Sequence, residues 1–293
     1  MTSTILLPFQ PETSETKAKA RPFLKWAGGK GQLLEQFSPY FPKTYGRYLE
    51  PFIGSAAVFF HLRPRQSFLS DINSDLINCY ISIRDNPGAV MRYLRRHQAK
   101  HSIEYYYDVR GWDSSGLGPA ENAARFIYLN KTCFNGLYRV NAKGQFNVPI
   151  GSYSNPTILD KENILAVSRA LKNVEILNLP FWNFCRKFAK KGDFIYFDPP
   201  YQPLSKTANF TGYTKESFSL RDQERLRDLF DEMNVLGCKL MLSNSWCPEI
   251  AHLYKRYKST SFEVLAKRAI NCQGARRAAI KEFVILNYVP DTI

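Results

Sequence analysis

Three short apolar runs in this chain each end on an acid and then give way to a turn or helix, and that recurrence limits the fold more than any other feature. Tyr48-Leu49 runs into Glu50, Phe68-Leu69-Ser70 into Asp71, and Phe194-Ile195-Tyr196-Phe197 into Asp198. Runs this short, rich in aromatic and aliphatic residues, read as buried strands. After the first, Gly54-Ser55 makes a turn ahead of a helix beginning near Ala56. After the second, Leu76, Ile77, Tyr80, Ile81 and Ile83 recur at helical spacing through Asp75 to Arg84. Further strands are expected at Lys239 to Leu242 and Glu282 to Tyr288, with an amphipathic helix from Leu220 to Asn234. Strands that alternate with helices call for a parallel α/β sheet.

Two stretches fall outside that alternation. Residues 1–21 are rich in Thr, Ser, Lys, Pro and Glu and carry too little apolar surface to fold alone, so they read as a flexible leader, with order beginning near Phe23. Residues 90–178 carry Arg92, Arg95, Arg96, His97, Lys100 and His101, then an apparent hairpin through Asn135 to Pro149 that turns at Ala142-Lys143-Gly144. They read as a lobe inserted into an α/β domain made of residues 22–89 and 179–293. No internal repeat is apparent.

Charge adds a partner class but no chemistry. Forty Lys and Arg stand against 26 Asp and Glu, a formal net charge of +14, and a polyanion such as nucleic acid is the natural partner. A basic chain kept soluble by its charge remains the alternative on this ground alone. The six cysteines, at 79, 133, 185, 238, 247 and 272, have no close spacing that would suit zinc or a redox dithiol. They read as buried thiols of a reducing compartment, and no metal is expected. No run approaches the roughly 20 apolar residues of a membrane span. The first residues lack a secretion signal. The expectation is a cytoplasmic protein.

The sharpest local signal is Asp198-Pro199-Pro200-Tyr201 directly after an apolar strand. In open α/β sheets, ligands bind beyond the carboxyl ends of the strands, where this tetrapeptide falls. Two prolines remove two backbone donors and leave carbonyl oxygens, an acceptor-only surface. Such a surface suits an aromatic amine, whose lone pair is delocalised into its ring. If the Asp198 carboxylate and the Pro199 carbonyl each take one amino hydrogen, the lone pair is freed for attack on a methyl carbon. Tyr201 would stack on the base and hold the attack angle.

Lys25-Trp26-Ala27-Gly28-Gly29-Lys30 superficially suggests a phosphate loop, but Gly31 follows where Ser or Thr is needed. A glycine turn that admits a carboxylate or amino-acid moiety, flanked by an aromatic ring and a cation, fits it better. Glu50-Pro51-Phe52-Ile53-Gly54-Ser55 and Asp71 place acids after successive strands, as nucleoside-binding sheets do to hold an amino group and a ribose diol. Singly each acid reads as a capping or solvated residue; in order they describe a nucleoside cofactor site.

Taken together, Phe23-Leu24-Lys25-Trp26-Ala27-Gly28-Gly29-Lys30, Glu50-Pro51-Phe52-Ile53-Gly54, Asp71-Ile72-Asn73-Ser74-Asp75, the stretch from Asn130 to Tyr153 and Asp198-Pro199-Pro200-Tyr201 resemble, in that order, the DNA adenine methylase family of N6-adenine methyltransferases. The likeness runs from about Arg21 to the C-terminus, and the motif order is similar to that of the α group. It implies a Rossmann-like fold of the S-adenosylmethionine-dependent methyltransferases, a mixed, mostly parallel sheet with helices on both faces, and an inserted, mostly helical target-recognition lobe with a β-hairpin. It implies a catalytic role for Asp198, Pro199, Pro200 and Tyr201, and S-adenosylmethionine held by Trp26, Lys30, Asp71 and Asp198 with Pro51, Phe52 and Gly54. Where the family often carries an acid-aromatic pair against the cofactor adenine, this chain has Pro180-Phe181: Phe181 can stack, but the acid is missing. Ala56 departs too, standing where a glycine or other small residue is usual.

For a duplex substrate the target base must be extruded, at a few kcal/mol in lost stacking and pairing. Phosphate contacts from Arg92, Arg95, Arg96, Arg268, Arg276 and Arg277 would offset that loss, although each alone reads as a solvated charge. A two-stranded ribbon fits a major groove; on it Arg139 has the fork for guanine, and Leu137 and Pro149 could meet thymine methyls. By the resemblance these positions, with Asn135, Tyr153 and Lys25, read the sequence GATC, and Phe134 wedges into the base stack. The expectation is a monomer that methylates adenine N6 in double-stranded DNA. A cytosine-N4 methyltransferase, or a DNA-binding relative that has lost turnover, remains the alternative.

Overall fold

The computed structural model describes residues 18–203, 218–266 and 280–291. Its strands are β1 (Tyr48–Glu50), β2 (Ser67–Ser70), β3 (Glu175–Leu177), β4 (Phe194–Phe197), β5 (Lys239–Ser245), β6 (Ser261–Ala266) and β7 (Ile280–Leu286). They form one seven-stranded sheet in the order β3-β2-β1-β4-β5-β7-β6. The first five run parallel, and β7 is antiparallel to both of its neighbours. This is the mixed, mostly parallel α/β sheet that the sequence implied. The chain steps outward from β1 through β2 to β3, then returns to β4 on the other side of β1. Strand order therefore reverses between β1 and β4, and the crevice beyond their carboxyl ends is where open sheets bind ligands.

Burial explains why β4 reads as an unbroken apolar run. All four of its side chains are fully buried, as required of a strand covered on both faces. Phe194 and Tyr196 lie on one face against Phe37, Phe41 and Tyr45, in a core shared with α1 (Leu34–Phe37), α2 (Ala57–Leu62), α3 (Ser74–Asp85), α4 (Pro87–Lys100), α5 (Ile103–Gly111), α6 (Pro119–Thr132) and α7 (Lys161–Leu171). Ile195 and Phe197 pack on the other with α8 (Phe181–Phe188) and α9 (Leu220–Leu236). Each large side chain so buried contributes about 1.5–3 kcal/mol.

Local chemistry sets the helix ends. The Asn73 side chain accepts from the Leu76 N–H at 3.0 Å and starts α3. Ser219 and Asp222 form a reciprocal capping box at the head of α9, and Gly237, with φ +89°, ends it. Two strands, β3 and β6, were not anticipated. The first is three residues long, and the second carries Glu263 within an exposed, mixed sequence at the sheet edge. Gln36 closes that edge: its amide donates to the Leu265 carbonyl and accepts from the Leu265 N–H, each at 3.0 Å.

The expected hairpin is looser than a ribbon. The chain reverses at Ala142-Lys143-Gly144, but only two isolated antiparallel bridges, Cys133 with Ile150 and Val140 with Phe146, join its arms. Asn135 at φ +54° and Gly136 at φ +64° turn the first arm out of the extended region, so no continuous ladder forms. Arg21, read as part of the leader, exchanges hydrogen bonds of 3.0 Å with the Asn163 side chain through both its N–H and its carbonyl. Among the described residues no helix is long and apolar enough to cross a membrane.

Candidate active site and nucleic-acid interface

The carboxyl ends of β1, β2 and β4 deliver their acids to one place. After β1 the chain turns through Pro51-Phe52-Ile53-Gly54, and Gly54 sits at φ +45° with Trp26 packed so closely that a Cβ there would lie 2.9 Å from the indole Cδ1. Only glycine fits that approach. Asp71, after β2, accepts from the Gly54 N–H at 3.3 Å and the Asn73 N–H at 3.0 Å, which ties the two turns together. Burial raises the Asp71 carboxyl to about 6, against the pull of those N–H groups. Glu50 is buried beneath them, accepting from the Tyr48 hydroxyl at 2.8 Å, and burial drives its pKa well above the usual carboxylate range.

Asp198 follows β4. Its Oδ1 takes the Lys30 ammonium at 2.7 Å and the Ser243 hydroxyl at 3.0 Å. Among the described residues nothing hydrogen-bonds its Oδ2. Burial pushes the Asp198 carboxyl up, while Lys30 and Ser243 hold it back. Lys30 is 3% exposed and spreads its charge over the Gly28 carbonyl at 2.6 Å, Asp198, and the face of Tyr201 at 4.5 Å from the ring centre. The Tyr201 hydroxyl donates to Glu282 on β7 at 2.7 Å. One ring face and the hydroxyl are thereby committed.

These groups line a cavity of about 440 Å³. It brings together all the residues assigned from sequence to catalysis and cofactor binding: Trp26, Lys30, Pro51, Phe52, Gly54, Asp71, Phe181, Asp198, Pro199, Pro200 and Tyr201. Pro180, where an acid was missed, lines it as well. Ile72, Trp182, Phe218 and Asp222 also line it and were not foreseen. Asp222 was hidden within a helix-start pattern. Ser243, Gln223 and Glu282 stand behind the Asp198 loop rather than in the cavity wall. The sequence signal for Glu282 is an acid beside the apolar run Phe283-Val284-Ile285-Leu286 of β7. Among the described residues no group of three or more His, Cys, Asp and Glu side chains could hold a metal ion.

Of the residues expected at DNA, Phe134, Asn135, Leu137, Arg139, Pro149 and Tyr153 lie on the segment from Cys133 to Ser154, with Lys25 beside it. Asn130, 2% exposed, clasps the Lys25 backbone, accepting its N–H at 2.8 Å and donating to its carbonyl at 2.7 Å, and donates also to the Gly136 carbonyl at 3.0 Å. Lys25 and Gly136 meet so tightly that a Cβ on Gly136 would lie 2.4 Å from the Lys25 Cβ. The Lys25 ammonium lies 4.0 Å from the centre of the Tyr153 ring. Phe134 is 43% exposed, while its N–H donates to the Pro149 carbonyl at 2.9 Å. Asn135, Arg139 and Pro149 are exposed, and Leu137 is half-buried. The Arg139 fork rests on Asn147, at 2.7 Å to its side-chain oxygen and 3.2 Å to its carbonyl. Arg92, Arg95 and Arg96 are exposed on α4, away from this segment in sequence. Arg268, Arg276 and Arg277 lie outside the described residues. Trp26 joins the two regions: its ring stacks on Tyr138 at 5.8 Å and Phe126 at 6.4 Å.

Comparison with known proteins adds a family to this geometry. The family model described as D12 class N6 adenine-specific DNA methyltransferase matches residues 26–270. A Type II methyltransferase of Lactococcus lactis subsp. cremoris, M1.LlaDCHI, is 45% identical over 280 residues, covering 94% of this chain and 98% of that protein. A second, M.MjaIII of Methanocaldococcus jannaschii, is 41% identical over 292 residues, 92% of this chain and 100% of its own length. The DNA adenine methylase of Vibrio cholerae is 35% identical over 272 residues, 92% of this chain and 96% of that protein.

Proposed function

The chain belongs to the D12 class of N6 adenine-specific DNA methyltransferases, and from that premise we propose that it moves a methyl group from S-adenosylmethionine to adenine N6 within GATC, after flipping the base out of the duplex. The observation that carries this reading is the state of Asp198: Lys30 and Ser243 bind one carboxylate oxygen, while the other has no hydrogen-bond partner among the described residues.

The cavity suits the cofactor chemically. Its volume, about 440 Å³, is of the size that holds a drug-sized ligand. Asp71 stands as the acceptor for a ribose diol, and Phe52, Ile72 and Phe181 offer apolar faces to a purine. Lys30 and the Gly28-Gly29 turn suit the amino-acid end. When bound there, the cofactor supplies an electrophilic sulfonium methyl.

The protein's part is to orient and to stabilise charge. Asp198 Oδ2 and the Pro199 carbonyl would each take one hydrogen of the target amine, localising its lone pair on nitrogen. As the nitrogen gains the methyl, the carbon–sulfur bond would break to leave the neutral thioether S-adenosylhomocysteine; the nitrogen would be cationic until one amine hydrogen leaves as a proton, and the Asp198 carboxylate would oppose that charge. Lys30, with Ser243, holds the Asp198 carboxyl down against the upward push of its burial. Tyr201, fixed through its hydroxyl by Glu282, would stack on the extruded base.

In this reading residues 22–89 and 179–293 are the catalytic domain and 90–178 the target-recognition domain of a monomer acting on DNA in the bacterial cytosol or nucleoid. Phe134 fills the gap left in the stack, Lys25 and Arg139 reach guanine edges, Leu137 and Pro149 meet thymine methyls, and Asn135 and Tyr153 complete the reader. Arg95, Arg268, Arg276 and Arg277 serve phosphates. The test is to incubate the protein with methyl-labelled S-adenosylmethionine and duplexes that contain or lack GATC, then digest to nucleosides. Label in N6-methyladenosine from the GATC duplex alone supports the assignment. Equal label from both duplexes refutes GATC, and label in N4-methylcytosine refutes the target atom.

A further inference from the structure

The loop after β4 offers two proline carbonyls in succession, and the mechanism needs only one of them. The structure distinguishes them. The side chain of Gln223, fully buried in the first turns of α9, donates from Nε2 to the Pro200 carbonyl at 3.0 Å. Among the described residues nothing hydrogen-bonds the Pro199 carbonyl, although Pro199 lines the cavity.

The direction of these bonds is forced. A proline carbonyl can only accept, so Gln223 must turn its amino group to Pro200. Its Oε1 then takes the Asn244 amide at 3.0 Å. Asn244 must in turn present Oδ1 to two backbone donors, the N–H of Gln202 at 3.3 Å and that of Ser245 at 2.8 Å. Ser245 closes the loop from the other side, its hydroxyl donating to the Gln202 carbonyl at 2.7 Å. Each amide has one orientation that satisfies all its neighbours, and every partner is buried or half-buried. With φ fixed by the proline ring, anchoring the Pro200 peptide to α9 also limits where the preceding carbonyl can point.

We propose that Gln223 is a positioning residue for methyl transfer: by engaging the Pro200 carbonyl it leaves the Pro199 carbonyl as the acceptor that, with Asp198, orients the target amine. This inference rests on the functional reading above. It predicts a defect in the transfer step rather than in binding, because Gln223 touches neither ligand. It also predicts a signature that loss of packing alone would not give. In Gln223→Glu the carboxylate cannot donate to Pro200 when ionised, but the protonated acid has the shape and the donor of the amide. Its activity relative to the unaltered enzyme should climb as pH falls.

The experiment measures single-turnover methyl transfer on saturating duplex and S-adenosylmethionine for Gln223→Met and Gln223→Glu, with Asp198→Ala as control and cofactor and DNA dissociation constants alongside. Displacing a reacting group by about 1 Å lowers a rate on the order of 10²-fold, so Gln223→Met should lose transfer by roughly that factor while both dissociation constants stay within about two-fold. Gln223→Glu should recover about ten-fold of its deficit between pH 9 and pH 6. Transfer within about two-fold of the unaltered enzyme in Gln223→Met overturns the proposal. So does a deficit in Gln223→Glu that is flat with pH, which decides the matter even if the Met variant does not fold. If Asp198→Ala keeps its activity, the functional reading itself has failed, separately from the role of Gln223.

Discussion

In the proposed function the loop Asp198 to Gln202 and the segment Cys133 to Ser154 serve one reaction, yet they are held in different ways. Every residue of the loop except Pro199 is gripped by a side chain from elsewhere in the fold: Asp198 by Lys30 and Ser243, Pro200 by Gln223, Tyr201 by Glu282, Gln202 by Asn244 and Ser245. The segment Cys133 to Ser154 is held at its base, by Asn130 and by close approaches at Gly136 and Gly151, while Phe134, Asn135, Arg139 and Pro149 stand exposed. Chemistry requires a geometry fixed before the substrate arrives. Reading a base edge requires side chains free to leave one partner for another, as in the proposed function the Arg139 fork would leave Asn147. Rigidity then falls where the proposed chemistry occurs and freedom where the proposed recognition occurs.

That contrast predicts separable defects. Asp198→Ala should produce the largest effect, a fall in transfer of at least about 10³-fold, because it removes both the amine acceptor and the charge opposing the positive charge that develops on the nitrogen during transfer. DNA affinity should hold within about three-fold, since phosphate contacts dominate it. Measured by single-turnover labelling and filter binding, a joint collapse of transfer and affinity would erase the division between the regions. Arg139→Ala comes next. Loss of a bidentate guanine contact removes about 1–3 kcal/mol of discrimination, roughly ten-fold to a hundred-fold, at one base pair. Competition between GATC duplexes and single-substitution duplexes reads it, and a uniform loss on every sequence would make Arg139 a phosphate contact.

How far each region was legible in sequence follows from the same difference. Strand ends and their acids were visible because burial on both faces forces an unbroken apolar run, so Glu50, Asp71 and Asp198 could be placed at one sheet edge. The partners that fix the loop were not, since Gln223, Asn244 and Glu282 come from strands and a helix distant in sequence and meet it only in the folded sheet. Gln223 in particular is a polar residue on a helix that reads as amphipathic, and nothing local marks it as fully buried. For the recognition segment, turn residues at Ala142-Lys143-Gly144 gave the reversal, but the left-handed backbone at Asn135 that breaks the ladder leaves no periodic trace.

Asp71 supplies a smaller, pH-dependent effect. Its folded pKa is raised to about 6 from an ordinary 3.8, so the neutral acid is favoured in the empty protein. Its contribution to stability is fully present below pH 3.8 and lost as pH rises through about 6. Cofactor affinity should run the other way, because the ionised carboxylate is the stronger acceptor for a ribose diol. A charge-assisted bond exceeds a neutral one by about 1 kcal/mol, so S-adenosylmethionine should bind roughly five-fold more tightly at pH 7.5 than at pH 5. Calorimetric titration across that range checks it, and Asp71→Asn should flatten both dependences. An unchanged pH response in Asp71→Asn would move the titration to another group.

The smallest effect compares one backbone conformation on the cavity side of the molecule and in the segment Cys133 to Ser154. Ala56, in the turn after β1, and Asn135, in that segment, both lie in the left-handed region, at φ 55° and φ 54°. For alanine this costs about 1–2 kcal/mol, whereas asparagine visits the region at little cost. Ala56→Gly removes that strain, but it also deletes a fully buried methyl, about 0.8 kcal/mol, and loosens the unfolded chain by roughly 0.5–1 kcal/mol. The opposing effects nearly cancel, and urea denaturation should place Ala56→Gly within about 1 kcal/mol of the unaltered protein. Asn135→Gly has no buried methyl and little strain to lose, so it should fall within about 0.5 kcal/mol. Ala56→Val cannot cancel, because a β-branched residue is an outlier at this φ and overpacks a closed site by about 1–3 kcal/mol. If Ala56→Val were as stable as Ala56→Gly, the loop would be soft enough to rearrange, and the rigidity assigned to the cofactor side of the molecule would not extend to its first turn.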